Sequence, residues 1–198
     1  MLARQLSLLD PPLSFDPASL LGPVQDLGAG AWIQHVPGFL RGHDRLFEQL
    51  YQAIDWRQSE RLMYERVVGV PRLLGALPEQ GHPLVEQIAV LLSRHVGRKL
   101  LSISVALYRD GRDSVAWHGD RVADASDHVM ATLSLGEPRR FLLRPRKPGP
   151  GRRSQRFDLG WGDLLLMGGT LQEQFEHAVP KKASALPRMV VMFRQLAD

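Results

Sequence analysis

The chain has 198 residues, 44% of them hydrophobic and 23% charged, the balance of an ordinary globular protein with a core of its own. It holds no cysteine, which excludes disulfides, thiolate zinc sites and thiol nucleophiles and leaves His, Asp and Glu for any metal. Lys and Arg exceed Asp and Glu by 25 to 21, a mildly basic +4, and apolar runs such as Leu164 to Met167 are too short to cross a bilayer. Met1 to Gln5 carries one positive charge and no sustained apolar run, so no secretory signal is read and a cytoplasmic address is the default. The expectation is a monomer that does not associate with membranes.

Residues 1–30 are punctuated by Pro11, Pro12, Pro17, Pro23, Gly22, Gly28 and Gly30, which reads as an irregular N-terminal arm. A single domain over 31–198 follows. Ala31 to Val36 alternates as a strand does. A helix near 43–54 would carry Leu46, Phe47, Leu50, Tyr51 and Ile54 on one face. A second helix over 83–96 is framed by Pro83 and Gly97, with Leu84, Ile88, Leu91, Leu92 and His95 as its stripe. From Leu101 the period changes to 2, with Leu101, Ile103, Val105 and Leu107 on one face and Ser102, Ser104, Ala106 and Tyr108 on the other. Further strands are predicted at 128–135, 139–144, 155–159, 163–167 and 188–195. Helices early and short strands late indicate a mostly β (α+β) fold, an antiparallel jelly roll with flanking helices.

Between Arg139 and Arg156 lie eight cations, Arg139, Arg140, Arg144, Arg146, Lys147, Arg152, Arg153 and Arg156, with no acid among them. Such a stretch tracks phosphates or is a solvated surface loop, and charge alone does not decide between the two.

Three pieces carry chemistry. His118 and Asp120, two apart in an extended segment, point the same way and can converge on one cation, although a lone H-x-D is equally a turn histidine and a solvated aspartate. His177 follows 59 residues later, enough chain for several strands and a return to the same place. Arg188 and Arg194 share one face of the last strand with Val190 and Met192, while Met189, Val191 and Phe193 take the other. A strand apolar on both faces reads as covered on both, where its arginines need anionic partners, a bound dicarboxylate or internal Asp or Glu; the alternative is an edge strand whose arginines reach solvent. Two histidines and a carboxylate with positions left open form the facial triad of non-haem Fe(II) oxygenases, and an inward arginine offers an anchor for a carboxylate.

In this order the pieces resemble the AlkB-like Fe(II)/2-oxoglutarate-dependent dioxygenases. The resemblance runs from Trp32 to Leu196 and is densest from Leu107 to Asp120, then through Leu133 to Gly136, Gly160 to Met167, His177 to Lys181 and Pro187 to Arg194; Met63 to Arg66 and Pro71 to Leu73 are also similar to family segments. It implies that His118, Asp120 and His177 ligate Fe(II) and that Arg188 pairs with the distal carboxylate of 2-oxoglutarate, supported by Tyr108. Arg194 would lie at the metal-proximal end. The family couples decarboxylation of 2-oxoglutarate by dioxygen to hydroxylation of a C–H bond, typically in an N-alkyl group on a nucleobase, which then leaves as formaldehyde. The implied work is dealkylation repair of DNA or RNA, with single-stranded substrate preferred because the base must leave its stack. The same chemistry on a small molecule or protein side chain, and a non-catalytic nucleic-acid-binding relative, are the alternatives.

Two departures concern the cosubstrate. Where the family pattern has asparagines two residues before the tyrosine and two after the first strand arginine, this chain has Ala106 and Val190; Ser102 or Ser104 are candidates to compensate. A third concerns substrate: Leu74 to His82 has no aromatic apart from its histidine, which leaves Tyr64 and Trp117 as candidates to stack on a base. Arg152, Arg153 and Arg156 are the candidates for backbone phosphates.

Overall fold

The computed structural model describes residues 11–63, 66–120, 122, 126–147, 149 and 153–195, with the backbone alone over 59–63 and 66–69. The stretch expected to be an irregular arm holds β1 (Ser14–Phe15), a 3-10 turn (Pro17–Leu21) and β2 (Gln25–Gly28). Asp16 caps the 3-10 turn by accepting from the Ala18 amide, and Pro17 supplies its preset φ. β3 (Ala31–Val36) matches the expected strand, β4 (Leu40–Arg41) pairs with β1, and α1 (His43–Ala53) matches the expected helix.

Beyond α1 comes a hairpin, β5 (Arg57–Met63) and β6 (Arg66–Gly75), then α2 (Pro83–Val96). Gly97 ends α2 in the left-handed region at φ 67°, its amide bonded to the Ser93 carbonyl. The buried stripe of α2 is Val85, Ile88, Ala89 and Leu92, a small rotation from the expected one that leaves His95 exposed. The later strands are β7 (Ser102–Tyr108), β8 (Val115–His118), β9 (Met130–Gly136), β10 (Arg139–Pro145), β11 (Gln155–Leu159), β12 (Asp163–Gly169), β13 (Phe175–Val179) and β14 (Arg188–Arg194), with the single turn α3 (Leu171–Gln174) before β13.

Among the described residues the strand pairs are antiparallel, in an eight-stranded sheet ordered β2-β3-β12-β9-β14-β7-β6-β5, a four-stranded sheet ordered β11-β10-β13-β8 and the separate pair β1-β4. This is the expected jelly roll with flanking helices. Alternation decides what each face of the large sheet meets. Val105, Leu107, Leu133, Leu135, Met189 and Val191 pack with Leu46, Leu50, Ile88 and Leu92 of the helices. Ala106, Tyr108, Met130, Met167 and Val190 face Phe141, Leu143, Phe175 and Val179 of the small sheet. The inward polar residues therefore open between the two sheets. Among the described residues no helix is long and apolar enough to cross a membrane.

One carboxylate fixes the turn into β12. Asp163 accepts from the Gly38 amide at 2.8 Å and the Gly160 amide at 3.3 Å, and lies 3.5 Å from His35. Burial opposes its charge, but the His35 and amide hydrogen bonds prevail and lower its pKa. Its contribution is thus fully present above the ordinary aspartate range and is lost as pH falls through the lowered folded value. Asp163→Asn should cost about 2 kcal/mol at neutral pH, the scale of hydrogen bonds to a charged group, and should flatten the acid limb of a denaturation series. Equal stability of the two proteins at pH 7 would refute the role.

Candidate metal centre

His118 and His177 lie directly opposite each other on neighbouring strands, β8 and β13, which explains how residues 59 positions apart meet. Their ring centroids are 4.3 Å apart, and Phe141 of β10 stacks on the far side of His177 at 5.4 Å. Asp120 follows β8. Its Oδ1 is 3.4 Å from His118 Nε2 and 4.0 Å from His177 Nε2, and one ligand atom from each residue fits within a common span of 4.8 Å.

The supporting contacts fix atoms as well as residues. His118 Nδ1–H donates to the Ala116 carbonyl at 2.9 Å, which leaves the Nε2 lone pair for a ligand. The Asp120 amide donates to Gln172 Oε1 at 2.9 Å, and the buried Gln172 amide bonds Met130 Sδ on the large sheet. Gly119 has no room for a side chain: a Cβ there would stand 2.2 Å from Arg146 Nη2 and 2.8 Å from the Gln172 carbonyl. The pair His118–Asp120 is thus held by a tight turn and one buried glutamine.

Burial alone would raise the Asp120 carboxyl, but the His118 hydrogen bond and the charges of His177 and Arg194 outweigh it and hold the group at about 2. Burial, then the neighbouring His118, lowers His177 to about 4, so its ring is neutral at pH 7, the form that ligates metals. Two imidazoles and an ionised carboxylate on one side of a pocket suit an octahedral Fe(II) with positions left open.

The same pocket is also lined by Tyr108, Arg188, Val190, Ala106 and Arg72. Arg188 is only 2% exposed, and its guanidinium carbon is 5.1 Å from the centre of the Tyr108 ring. Nη2 donates to Ser134 Oγ at 2.9 Å, while Nε and Nη1 are buried without a hydrogen-bond partner. Burial lowers its pKa to about 10, the cost of a cation with an unsatisfied environment. An anionic ligand with carboxylate oxygens answers that deficit. Arg194, at the other end of β14, has Nε 3.8 Å from Asp120 Oδ2 and donates to Ser104 Oγ, so it sits by the candidate metal ligands.

Other expected residues lie elsewhere. Trp117 is on the outer face of the small sheet, 37% exposed, with the Arg144 guanidinium 4.1 Å above its ring. Neighbours on a strand face opposite ways, so Trp117 is turned from the pocket because His118 is turned into it. The basic stretch is also broken up. Arg139 is buried and donates to the carbonyls of Asp110, Asp113 and Pro180, tying three loop positions together. Arg144 and Arg146 pair with Glu176, and Arg140 and Arg156 pair with Asp158. Arg153 is exposed, whereas Tyr64 and Arg152 lie outside the described residues. Arg72 and Gln172 were not singled out by sequence reasoning; only the fold brings them to the site.

A family model described as the 2OG-Fe(II) oxygenase superfamily matches residues 37–194. The chain is 31% identical over 183 residues to the alpha-ketoglutarate-dependent dioxygenase alkB homolog 3 of Bos taurus, a match covering 80% of the chain and 64% of that protein's length. It is 27% identical to the DNA oxidative demethylase ALKBH2 of Arabidopsis thaliana, covering 92% of the chain and 72% of the relative. The solved structure of OsALKBH1 superposes with a TM-score of 0.57 at 15% identity, over 88% of this chain and all of that one. A prolyl hydroxylase from Trichoplax adhaerens, solved with a peptide fragment of hypoxia inducible factor, superposes at 0.57 and 13% identity, over 82% of this chain and 83% of that one.

Proposed function

The chain belongs to the 2OG-Fe(II) oxygenase superfamily and is AlkB-like within it, and from that premise we propose that it is a dioxygenase removing N-alkyl groups from nucleobases in DNA or RNA. The observation that carries the reading is a single pocket holding both His118, Asp120 and His177 and the unsatisfied, buried guanidinium of Arg188. Fe(II), 2-oxoglutarate and dioxygen are the cofactor set of this family. Bound there, they supply oxidation: the 2-oxo acid becomes succinate and carbon dioxide, and one oxygen atom passes to a substrate C–H bond.

The chain supplies position and environment. His118 Nε2, His177 and Asp120 hold the metal, and the Ala116 carbonyl and Gln172 hold the ligands. Arg188 and Tyr108 take the distal carboxylate of the cosubstrate. Arg194 steadies Asp120 through its second oxygen. Met130, Phe141, Met167, Val179 and Val190 line the pocket with apolar surface, which displaces water from the reacting centre. β8 is an edge strand of the small sheet, so His118 stands at an open margin where a flipped base can enter.

The Arabidopsis relative's name supports a nucleic-acid substrate. A single strand fits a pocket that must receive an unstacked base. The exposed Arg153 and the outer arginines then face phosphates, partly offset by Glu176 and Asp158. A monomeric, cytoplasmic repair enzyme completes the proposal. Its test is succinate and formaldehyde release with N-methylated single-stranded oligonucleotides, methylated duplexes and unmodified strands. Release of both products in equal amounts, fastest on methylated single strands, is expected. Succinate formation indifferent to methylation would remove the nucleobase substrate while leaving the oxygenase chemistry intact.

A further inference from the structure

We propose that Arg72 is a cosubstrate-binding residue that takes over the hydrogen bonds lost with Ala106 and Val190, an inference that rests on the 2-oxoglutarate reading above. Ala106 and Val190 lie in the pocket beside Arg188 and offer its ligand no polar atom. Ser104 does not fill the gap, because its hydroxyl is engaged by Arg194. Arg72 enters from a different strand, β6, at the side of β7 away from β14. Its Nη1 donates to the Tyr108 hydroxyl at 3.3 Å. Its Nε is buried in the same pocket without a hydrogen-bond partner.

Two guanidiniums and one phenol therefore line one pocket. Arg188 contributes two unpartnered nitrogens and Arg72 contributes one, and Tyr108 touches both, its ring under Arg188 and its hydroxyl bonded to Arg72. A carboxylate offers about four lone-pair sites on two oxygens, so it can accept from all three residues. Unpaired, this arrangement carries one buried and one half-buried cation. The distal carboxylate of a 2-oxo acid can accept from both.

The test is calorimetric binding of 2-oxoglutarate to the Mn(II)-loaded protein without oxygen or nucleic acid, so no turnover is required. Arg72→Met should weaken binding about tenfold or more, the scale of a charge-assisted contact in a buried site. Arg72→Lys, which keeps the charge and loses the fork, should fall between the two. Val190→Asn should restore part of the loss, so that Arg72→Met costs less in that background than in the parent. Mn(II) affinity and thermal unfolding of the free protein report folding, and both should stay near the parent. If the parent itself fails to bind 2-oxoglutarate, the cosubstrate reading falls. If the parent binds and Arg72→Met binds equally well while losing affinity for methylated oligonucleotide, Arg72 serves the substrate and this inference is overturned.

Discussion

Arg188→Met is expected to abolish 2-oxoglutarate binding while leaving the metal site intact and the free protein at least as stable. The two halves of that result have one cause. In the free protein Arg188 is buried with Nε and Nη1 unpartnered, so its charge is a net cost, which its pKa, lowered to about 10, expresses. A methionine of similar length fills the space and removes that cost. With the cosubstrate present the same nitrogens meet a carboxylate, and breaking such a buried pair costs about 3–5 kcal/mol, a loss of two to three orders of magnitude or more in affinity. Calorimetry with Mn(II)-loaded protein measures the loss, and thermal unfolding of metal-free protein measures the gain. A variant that binds 2-oxoglutarate as the parent does would exclude Arg188 as the anchor. One that unfolds far below the parent would show that Ser134 and Tyr108 alone already satisfy it.

The sequence was most informative where a regular period met a chemical demand. β14 reads as a doubly covered strand, and its register, with Arg188 opposite Tyr108 and Val190 opposite Ala106, joins the residues that alternation had placed on the inward faces. β8 and β13 were less legible as strands. They are four and five residues long, and His118, Glu176 and His177 interrupt any apolar pattern. The β5–β6 hairpin gave no signal, since Arg57 to Arg61 is almost wholly polar and forms a sheet edge rather than a core strand. Trp117 and Glu176 could have been placed correctly by the period of 2, each being the neighbour of an inward histidine and therefore outward. Pairing Glu176 with Arg144 and Arg146 is different in kind. It joins residues about thirty positions apart through the β10–β13 register, which no local pattern encodes. The same holds for Gln172 and Arg72, whose roles depend on which strands become neighbours.

Asp120→Asn should separate the metal from the anchor in the opposite sense to Arg188→Met. Asn keeps the size of the side chain and its backbone bond to Gln172 but loses the negative charge that His118, His177 and Arg194 all face. Removal of a supporting contact around a metal ligand already costs about 10–100-fold in affinity, so loss of the triad's carboxylate should exceed about 100-fold for Fe(II) or Mn(II). Succinate formation should fall to background. The distal half of the pocket is untouched, because Arg188, Tyr108 and Arg72 come from β14, β7 and β6 rather than from β8 and its following turn. Binding of glutarate, which has the distal carboxylate but no 2-oxo group to chelate a metal, should therefore be unchanged in Asp120→Asn and lost in Arg188→Met. The contrast uses equilibrium binding alone and is independent of which substrate is oxidised. Full retention of metal affinity in Asp120→Asn would mean that the two histidines bind the ion without this carboxylate, and the triad would have to be abandoned.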